Sequence, residues 1–291
     1  MGNGDQRVMN AASRAAGFYG LSVQLRLRHI GIPGERDKLV LAYLAAILMA
    51  EVVTAAVNAT FGLGLHAAIL LTLLWSGARA RSEADRNLWF CLTLAPLIRL
   101  CSLSLPLSSF PRAYWYAVAI APVLLATLVA ARTLGYTRRA VGLTLPWPDV
   151  VTQIFLLVPL GIILGYVEYL IIQPQALARS LSLGNVWQPA LVLFLATGFG
   201  EEIVFRGLLQ HAAIRALGPV AGILAITVLF TALHIGYLSI SDALFAFMVG
   251  LFLALLARWT RSIAGPTVLH GCINLSLFLL TPLWLAPALS R

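Results

Sequence analysis

The sequence predicts an all-α protein, a polytopic bundle of eight to nine transmembrane helices. Hydrophobic residues make up 60% of the chain and charged residues only 11%, and the mean hydropathy is +0.90. Soluble domains usually carry about 25% charged residues. Apolar runs of about 20 residues, long enough to cross a bilayer as a helix, recur along the whole chain. Basic residues collect in alternate connections between these runs, as expected of a membrane protein with a defined orientation.

The apolar runs place nine spans. They lie near residues 39–60, 62–78, 88–107, 113–132, 150–172, 189–217, 219–236, 242–259 and 263–284. The loop 133–149, which contains two prolines and a tryptophan, separates two halves of the chain. We therefore predict a basic N-terminal segment at 1–38, an accessory transmembrane region at 39–148 and the region that carries the chemistry at 149–291.

The distribution of arginine predicts the orientation of the bundle. The N-terminal segment and the second, fourth, sixth and eighth connections are basic, whereas the loops between them carry only Arg112 and Arg179. By the positive-inside rule the N-terminus is cytoplasmic, in a multi-pass protein of the cell membrane. The net charge of +9 does not indicate nucleic-acid binding, because the basic residues lie in short loops and form no stripe with interleaved aromatic residues. The expected partners are the lipid bilayer and a membrane-associated peptide or protein.

Several polar residues inside the spans have simple structural explanations. Glu51 and Arg99 are predicted to pair between the first and third spans. Glu168, near the end of its span, is predicted to reach the membrane interface, and His66 is predicted to be solvated. None of these residues is predicted to carry chemistry.

A charged cluster at residues 201–206 stands out within the sixth span. Each charge at mid-bilayer costs roughly 2.5–3.5 kcal/mol, so three together need a compensating reason. Glu202 and Arg206 are four residues apart on one helix face and can form an ion pair. Glu201 lies about 100° round the helix axis without a cation of its own, and is a candidate general base. Taken alone, a helix-packing salt bridge with one extra glutamate explains the cluster equally well.

Two later spans add polar groups at helical spacing. His234 follows Phe230 by four residues, and His270 and Asn274 are also four residues apart, so each pair shares a helix face. A single histidine or asparagine in a span is usually a packing or hydrogen-bonding residue. Three helices that each bring acid, base or amide groups favour one common polar site.

The depth of this site can be estimated from helical rise. At about 1.5 Å per residue, His270 lies roughly 10 Å from residue 263, on the side predicted to be cytoplasmic. Glu201 reaches a similar depth only if residues from about His211 to Gly222 form a helical hairpin that extends into the cytoplasm. The estimate therefore predicts such a hairpin and a shallow, buried site open to the cytoplasm.

The ordered motifs resemble the CPBP family, the CAAX proteases and bacteriocin-processing (Abi-type) intramembrane endopeptidases. The family pattern of Glu-Glu-x-x-x-Arg, Phe-x-x-x-His and His-x-x-x-Asn/Asp is filled here in order and inside predicted spans. The matching positions are Glu201, Glu202, Arg206, Phe230, His234, His270 and Asn274. The resemblance covers the C-terminal third to half of the chain and implies a CAAX-protease-like catalytic core there.

The resemblance also implies a mechanism. Glu201, helped by His234, would activate water, and His270 and Asn274 would donate hydrogen bonds to the oxyanion, a contribution of roughly 3–4 kcal/mol per donor in other enzymes. Glu202 and Arg206 would support the helix geometry. The favoured mechanism needs no metal, although Glu201, His234 and His270 are also the residues that a zinc site would use.

Two other classes of function stay open at this point. A non-catalytic immunity or partner-binding membrane protein could use the same residues to stabilise the bundle. A transporter with a proton relay is a third hypothesis, but it should be accompanied by inverted repeats or broken helices, and the sequence shows no convincing example.

Overall fold

The computed structural model describes residues 34–145 and 149–289, so most of the predicted N-terminal segment lies outside the described residues. The helices are α1 (Glu35–Ala56), α2 (Ala59–Arg79), α3 (Glu83–Leu92), α4 (Leu94–Ser104), α5 (Trp115–Thr133), α6 (Asp149–Ile172), α7 (Leu183–Val192), α8 (Gly200–Glu202), α9 (Gln210–Leu217), α10 (Pro219–Ala232), α11 (Ile240–Thr260), α12 (Ala264–Leu275) and α13 (Thr281–Leu289). Three π-helical segments, Leu193–Phe199, Ile203–Leu209 and Ser276–Leu280, interrupt these helices.

Eight helical segments in the described ranges are long and apolar enough to cross a membrane. Helices α3 and α4 together form one of them, Glu83–Ser104, and the last is Ala264–Leu285. A ninth helical passage, residues 183–217, combines α7, α8, α9 and two π-helical segments; we call it the site helix. The predicted all-α bundle of eight to nine spans is thereby confirmed.

Local sequence explains where several helices begin. The side chain of Asn58 accepts a hydrogen bond from the Phe61 N–H at the start of α2. Ser82 and Ser239 cap α3 and α11 in the same way, through the backbone N–H three residues further on. These side chains satisfy backbone donors that the first turn of a helix leaves without a partner.

Successive helices run in opposite directions, so their connections gather at two ends of the bundle. At the basic end, Arg36 pairs with Asp85, Tyr136 packs edge-on against His211, and the Ile263 N–H donates to the carbonyl of Gly142. This end comprises the start of α1 and the connections at 80–82, 134–145, 218 and 261–263. The opposite end comprises the connections at 57–58, 105–114, 173–182 and 233–239.

The predicted hairpin is present at the basic end. Gly218, at φ +86°, makes a turn that residues other than glycine rarely adopt, and α10 starts immediately after it. A Cβ at Gly222 would lie 2.7 Å from the backbone of Ala213, so α9 and α10 are in close contact. The further expectation that this hairpin extends into the cytoplasm stays a prediction.

Close packing places the site helix against α12. A Cβ added to Gly198 would lie 2.9 Å from Cα of Gly271, so two glycines allow the backbones to approach. This contact brings the Glu201–Glu202 pair alongside His270. Gly198 therefore permits the close approach of these two helices.

Candidate active site

The four side chains predicted to be catalytic line a single cavity of about 420 Å³. Glu201 comes from the site helix, His234 from the end of α10, and His270 and Asn274 from α12. Helices that are far apart in sequence therefore bring the three motifs to one place.

The two adjacent glutamates have different surroundings. The Glu202 side chain is fully buried and accepts a hydrogen bond from Arg206 Nη1 at 2.9 Å, which is the predicted ion pair. The Glu201 side chain keeps 27% of its surface exposed and lines the cavity. The two carboxylates point to different sides of the helix because consecutive residues are rotated by about 100°.

His270 connects these two carboxylates. Its Nδ1 lies 2.7 Å from Oε1 of Glu202 and its Nε2 lies 3.9 Å from Oε2 of Glu201. A carboxylate is an acceptor, so the Nδ1–H of His270 donates to Glu202. That hydrogen bond fixes the plane of the ring and directs Nε2 towards Glu201.

His234 lies two residues beyond the end of α10 and is held by a residue of that helix. Its Nδ1–H donates to the carbonyl of Phe230, with a separation of 2.9 Å, and its ring packs on the Phe230 ring at a centroid distance of 4.5 Å. A neutral ring with the proton on Nδ1 has an acceptor at Nε2. His234 is therefore arranged to accept a proton or a hydrogen bond through Nε2.

Asn274 is oriented by a residue that sequence reasoning missed. Its Nδ2 donates to Oγ1 of Thr197 at 2.8 Å, and the Thr197 hydroxyl donates in turn to the carbonyl of Leu193. An amide nitrogen carries two hydrogens, so a second N–H is left for another acceptor. Thr197 directly precedes Gly198, the glycine at which the site helix approaches α12. That glycine was the sequence signal that could have indicated a contact between Thr197 and α12.

Aromatic rings and Arg206 close the cavity towards the basic end. The rings of Phe205 and Phe230 meet edge to face at 5.1 Å, and the guanidinium of Arg206 lies 4.4 Å from the centre of the Phe230 ring. Arg206 Nη2 also donates to the carbonyl of Gly250 at 3.1 Å. This layer, which we call the aromatic floor, crosses the bundle near its middle.

The cavity lies on the other side of that floor and reaches the opposite end of the bundle. Its lining includes Gly236 and Tyr237, which are both exposed and lie where α10 has ended. His234 is 15 residues, or roughly 22 Å, from the start of α10 at the basic end. Along α12, however, His270 lies only six residues after Ala264 at that end, so the expectation of a site open to the cytoplasm stays a prediction.

The N-terminal half contributes to the cavity through Arg99. Its Nη2 donates to the carbonyl of Leu233, directly before His234, at 2.9 Å. Its guanidinium also makes the predicted pair with Glu51, at 2.9 Å through Nε and 2.6 Å through Nη2. His66 lies 3.4 Å from the same carboxylate and is fully buried, so the prediction of a solvated His66 is wrong.

Glu168 also differs from its prediction. Its side chain is buried and lines the cavity, whereas the sequence predicted that it reaches the interface. Its place four residues before the end of α6 suggested a solvated position. The cavity extends along α6 as far as Glu168, so the carboxyl group meets the polar groups of the cavity and not those of the membrane interface.

Zinc is the metal that the resemblance introduces, through Glu201, His234 and His270. Among residues 34–145 and 149–289, no three His, Cys, Asp or Glu side chains are grouped so that they could hold a metal ion. The side chains as they stand do not fit a zinc site, and the mechanism derived below includes no metal-dependent step.

Comparisons with known proteins support the resemblance. A family model described as "Type II CAAX prenyl endopeptidase Rce1-like" matches residues 183–276, from the start of the site helix to the residue after α12. A search of curated proteins and a search of solved structures each found no match. At family level the match supports a CAAX-type intramembrane protease in a multi-pass membrane protein. The resemblance predicted from the motifs is thus confirmed: residues 183–276 of this chain match the Rce1-like type II CAAX prenyl endopeptidase family.

Proposed function

We propose that this protein is an intramembrane endopeptidase that hydrolyses peptide bonds of a membrane-associated protein or peptide. The observation that supports this most is the contrast between the adjacent glutamates. Glu202 is buried in an ion pair, whereas Glu201 faces a cavity that two imidazoles and an amide also line. A bundle that needed only a salt bridge has no use for the second carboxylate.

Glu201 acts as the general base in this mechanism. It takes a proton from a water molecule as the water oxygen attacks the carbon of the scissile carbonyl. His234 accepts a hydrogen bond from the same water through Nε2 and orients it. When the C–N bond breaks, the proton held by Glu201 passes to the departing amine, so the products are a carboxylic acid and an amine. General acid–base catalysis of this kind typically contributes about 10²–10⁴-fold.

His270 and Asn274 supply the hydrogen bonds to the oxyanion. Both lie on one face of α12, one helical turn apart, and both line the cavity. Asn274 donates through the amide N–H that Thr197 does not use. His270 donates through Nε2 when both ring nitrogens are protonated, a state balanced by two carboxylates within 4 Å.

Glu202 and Arg206 are positioning residues in this proposal. Glu202 accepts from both Arg206 and His270, so one buried carboxylate holds the site helix and α12 in register. The favoured mechanism needs no cofactor. We further propose that the protein lies in the cell membrane with its N-terminus in the cytoplasm, in line with the basic loops.

The test is cleavage of a membrane-associated peptide library by purified protein in detergent, read by mass spectrometry. Glu201→Gln should abolish the cleavage products while the protein keeps its thermal stability. Glu83→Gln, which removes an exposed carboxylate at the start of α3, is the matched control and should cleave as the wild type does. Equal cleavage by Glu201→Gln and wild type would overturn the catalytic assignment.

The non-catalytic alternative makes a different forecast. If the protein is an immunity or partner-binding factor, variants of the motif residues should lose stability and keep their biological effect in proportion to the folded amount. Comparing the effect per folded molecule in Glu201→Gln and wild type separates the two functions.

A further inference from the structure

We infer that a second cavity, at the basic end of the bundle, binds the phosphate group of an anionic membrane lipid. This cavity has a volume of about 740 Å³ and lies between the site helix, the end of α11 and the connections at 134–145 and 261–263. We call it the basic cavity. It shares none of its described lining residues with the candidate active site, and lipid binding there does not depend on the proposed function.

Cationic side chains dominate the polar lining of the basic cavity. Besides Arg206, four arginines line it: Arg139 before α6, Arg215 in the last turn of α9, Arg258 in the last turn of α11 and Arg261 directly after α11. None of the described lining residues is acidic, and none of these four arginines forms an ion pair with a described carboxylate. Like charges that face one cavity repel one another, so an anion placed between them is attracted by all four.

The positive-inside rule explains why arginines lie at this end, but not why four of them meet at one cavity. Other arginines at the same end are placed differently. The guanidinium of Arg79 lies 4.0 Å from the centre of the Trp75 ring, and Arg138 does not line the basic cavity although it is next to Arg139. The convergence therefore comes from the packing of connections that are far apart in the sequence.

Hydrogen bonds join the two connections that carry Arg139 and Arg261. The Ile263 N–H donates to the carbonyl of Gly142 at 3.0 Å, and the Thr144 hydroxyl donates to the carbonyl of Arg261 at 3.0 Å. Arg261 has a φ of +53°, the left-handed conformation in which a helix usually ends on glycine. The backbone that carries these two arginines is thus ordered before a ligand binds, which lowers the entropy cost of binding.

Arginine is the side chain best suited to a phosphate ligand. Its planar guanidinium group carries N–H donors that bind phosphate oxygens in pairs, and it stays charged at any physiological pH. The phosphate of a lipid headgroup and a free phosphate ion share this chemistry. The surroundings of the cavity decide between the two sources.

Exposed apolar residues at the mouth place the basic cavity at the level of the lipid headgroups. Leu145 lines the cavity and is 76% exposed, and Trp259, next to Arg258, is 81% exposed. Tryptophan collects at the interface between membrane and water, where its ring contacts both. Basic pockets between transmembrane helices at this level bind anionic headgroups. An anionic phospholipid can therefore place its phosphate among the arginines while its acyl chains remain beside these apolar side chains.

The test is a lipid titration of the purified full-length protein in neutral detergent, read by the midpoint of thermal unfolding. A ligand that binds the folded state raises that midpoint in a saturable manner. The probes are phosphatidylglycerol, phosphatidylcholine and inorganic phosphate. The cavity variant Arg215→Gln/Arg258→Gln is compared with the control Arg132→Gln/Arg138→Gln, which also removes two exposed arginines at the basic end but none that lines the cavity.

We expect phosphatidylglycerol to raise the unfolding midpoint of the wild type, and phosphatidylcholine to leave it unchanged. The cavity variant should need about 30-fold more phosphatidylglycerol for the same rise, because it loses two of the cations near the phosphate. The control variant should respond as the wild type does. Inorganic phosphate should have a much weaker effect, since it lacks the acyl chains that hold a lipid at the mouth.

Two results would overturn the inference. Equal losses in the cavity variant and the control would mean that general surface charge attracts the lipid. A rise with inorganic phosphate and none with phosphatidylglycerol would assign the cavity to a free phosphate compound.

A second pair of variants is available if Arg215→Gln/Arg258→Gln does not fold. Arg139→Gln and Arg138→Gln change adjacent, exposed residues, of which only Arg139 lines the cavity. The first should weaken phosphatidylglycerol binding by about fivefold and the second should leave it unchanged. Equal binding by both would contradict a site in the cavity. Glu201→Gln should bind the lipid as the wild type does, so the outcome for lipid binding is independent of the outcome for cleavage.

Discussion

Two buried clusters in this bundle have the same composition and different surroundings. Glu51, Arg99 and His66 meet in the N-terminal half, and Glu202, Arg206 and His270 meet in the C-terminal half. In each cluster a fully buried carboxylate accepts from a guanidinium and lies beside an imidazole. Composition alone therefore does not indicate which cluster belongs to the candidate active site.

The difference lies in what the second cluster faces. Next to Glu202 stands Glu201, whose side chain is partly exposed in the cavity, and His270 lies between the two. Glu51 has no such neighbour, because Ala50 and Val52 flank it. Within the described residues, the N-terminal cluster contacts the site through Arg99, whose Nη2 donates to the carbonyl of Leu233 beside His234. We infer that the first cluster braces the site and that the second carries its chemistry.

The largest expected effect separates the two clusters by activity. Glu201→Gln should lower kcat by about 10²–10⁴-fold with little change in thermal stability, because the amide cannot accept the proton of the attacking water. Glu51→Gln in the bracing cluster should leave the kcat of the folded protein within about tenfold of wild type. Both are measured by steady-state cleavage, normalised to folded protein by size-exclusion chromatography. A Glu51→Gln loss as large as that of Glu201→Gln would contradict the division of roles.

The next effect is on stability and should be common to both clusters. Arg99→Met and Arg206→Met each leave a buried carboxylate without its guanidinium, which typically costs about 3–5 kcal/mol. Thermal unfolding in detergent measures the loss. The partly exposed pair of Arg36 and Asp85, in the first turns of α1 and α3, supplies a control, since Arg36→Met should change stability by no more than about 1 kcal/mol. If Arg99→Met left the stability of the protein unchanged, the burial of Glu51 would not depend on its ion pair with Arg99.

A smaller effect is expected at Thr197, which belongs to the catalytic side of the comparison. Thr197→Val keeps the shape of the side chain and removes the acceptor that Asn274 uses. Loss of one hydrogen bond with a buried partner left unsatisfied costs about 1–3 kcal/mol. We expect kcat to fall more than KM changes, because Asn274 is needed at the oxyanion. Thr127→Val, which removes a hydroxyl that bonds only to its own helix, should leave kcat unchanged.

The smallest expected effect comes from metal removal. A chelator should leave the cleavage rate of the purified protein unchanged, because Glu201 and His234 act on water without a metal in the proposed mechanism. Inhibition by the chelator that added zinc reverses would replace this mechanism by one that uses Glu201, His234 and His270 as ligands. A matched sample treated with the zinc-loaded chelator controls for effects on the detergent micelle.

Much of this architecture could be predicted from particular residues. The run of apolar segments predicted the spans, and the i, i+4 spacing of Glu202 and Arg206 predicted their ion pair. The pairing of Glu51 with Arg99 followed from the cost of leaving either charge alone in a bilayer. The ordered motifs predicted the family match at residues 183–276. Each of these inferences needs only local periodicity or the chemistry of a buried charge.

Other features could not be predicted, because they depend on distances between helices. The contact of Arg99 with Leu233 joins residues 134 positions apart, and nothing in either segment signals the other. The burial of His66 and Glu168 depends on which neighbours cover them, which hydropathy along one helix does not contain. The floor of the cavity depends on where Phe205 and Phe230 meet.

By itself, the amino-acid sequence determined that this chain forms a helical membrane bundle, which end of it is basic, and which polar residues need partners inside it. Those properties follow from the free-energy cost of placing backbone polar groups and charges in hydrocarbon. That cost depends on the residues of each segment alone. Only the tertiary structure decided that Glu201 faces a cavity while Glu202 is buried, and that His234, His270 and Asn274 line the same cavity. Rotation and stagger of packed helices set those two facts, and both are properties of helix contacts that no single segment encodes.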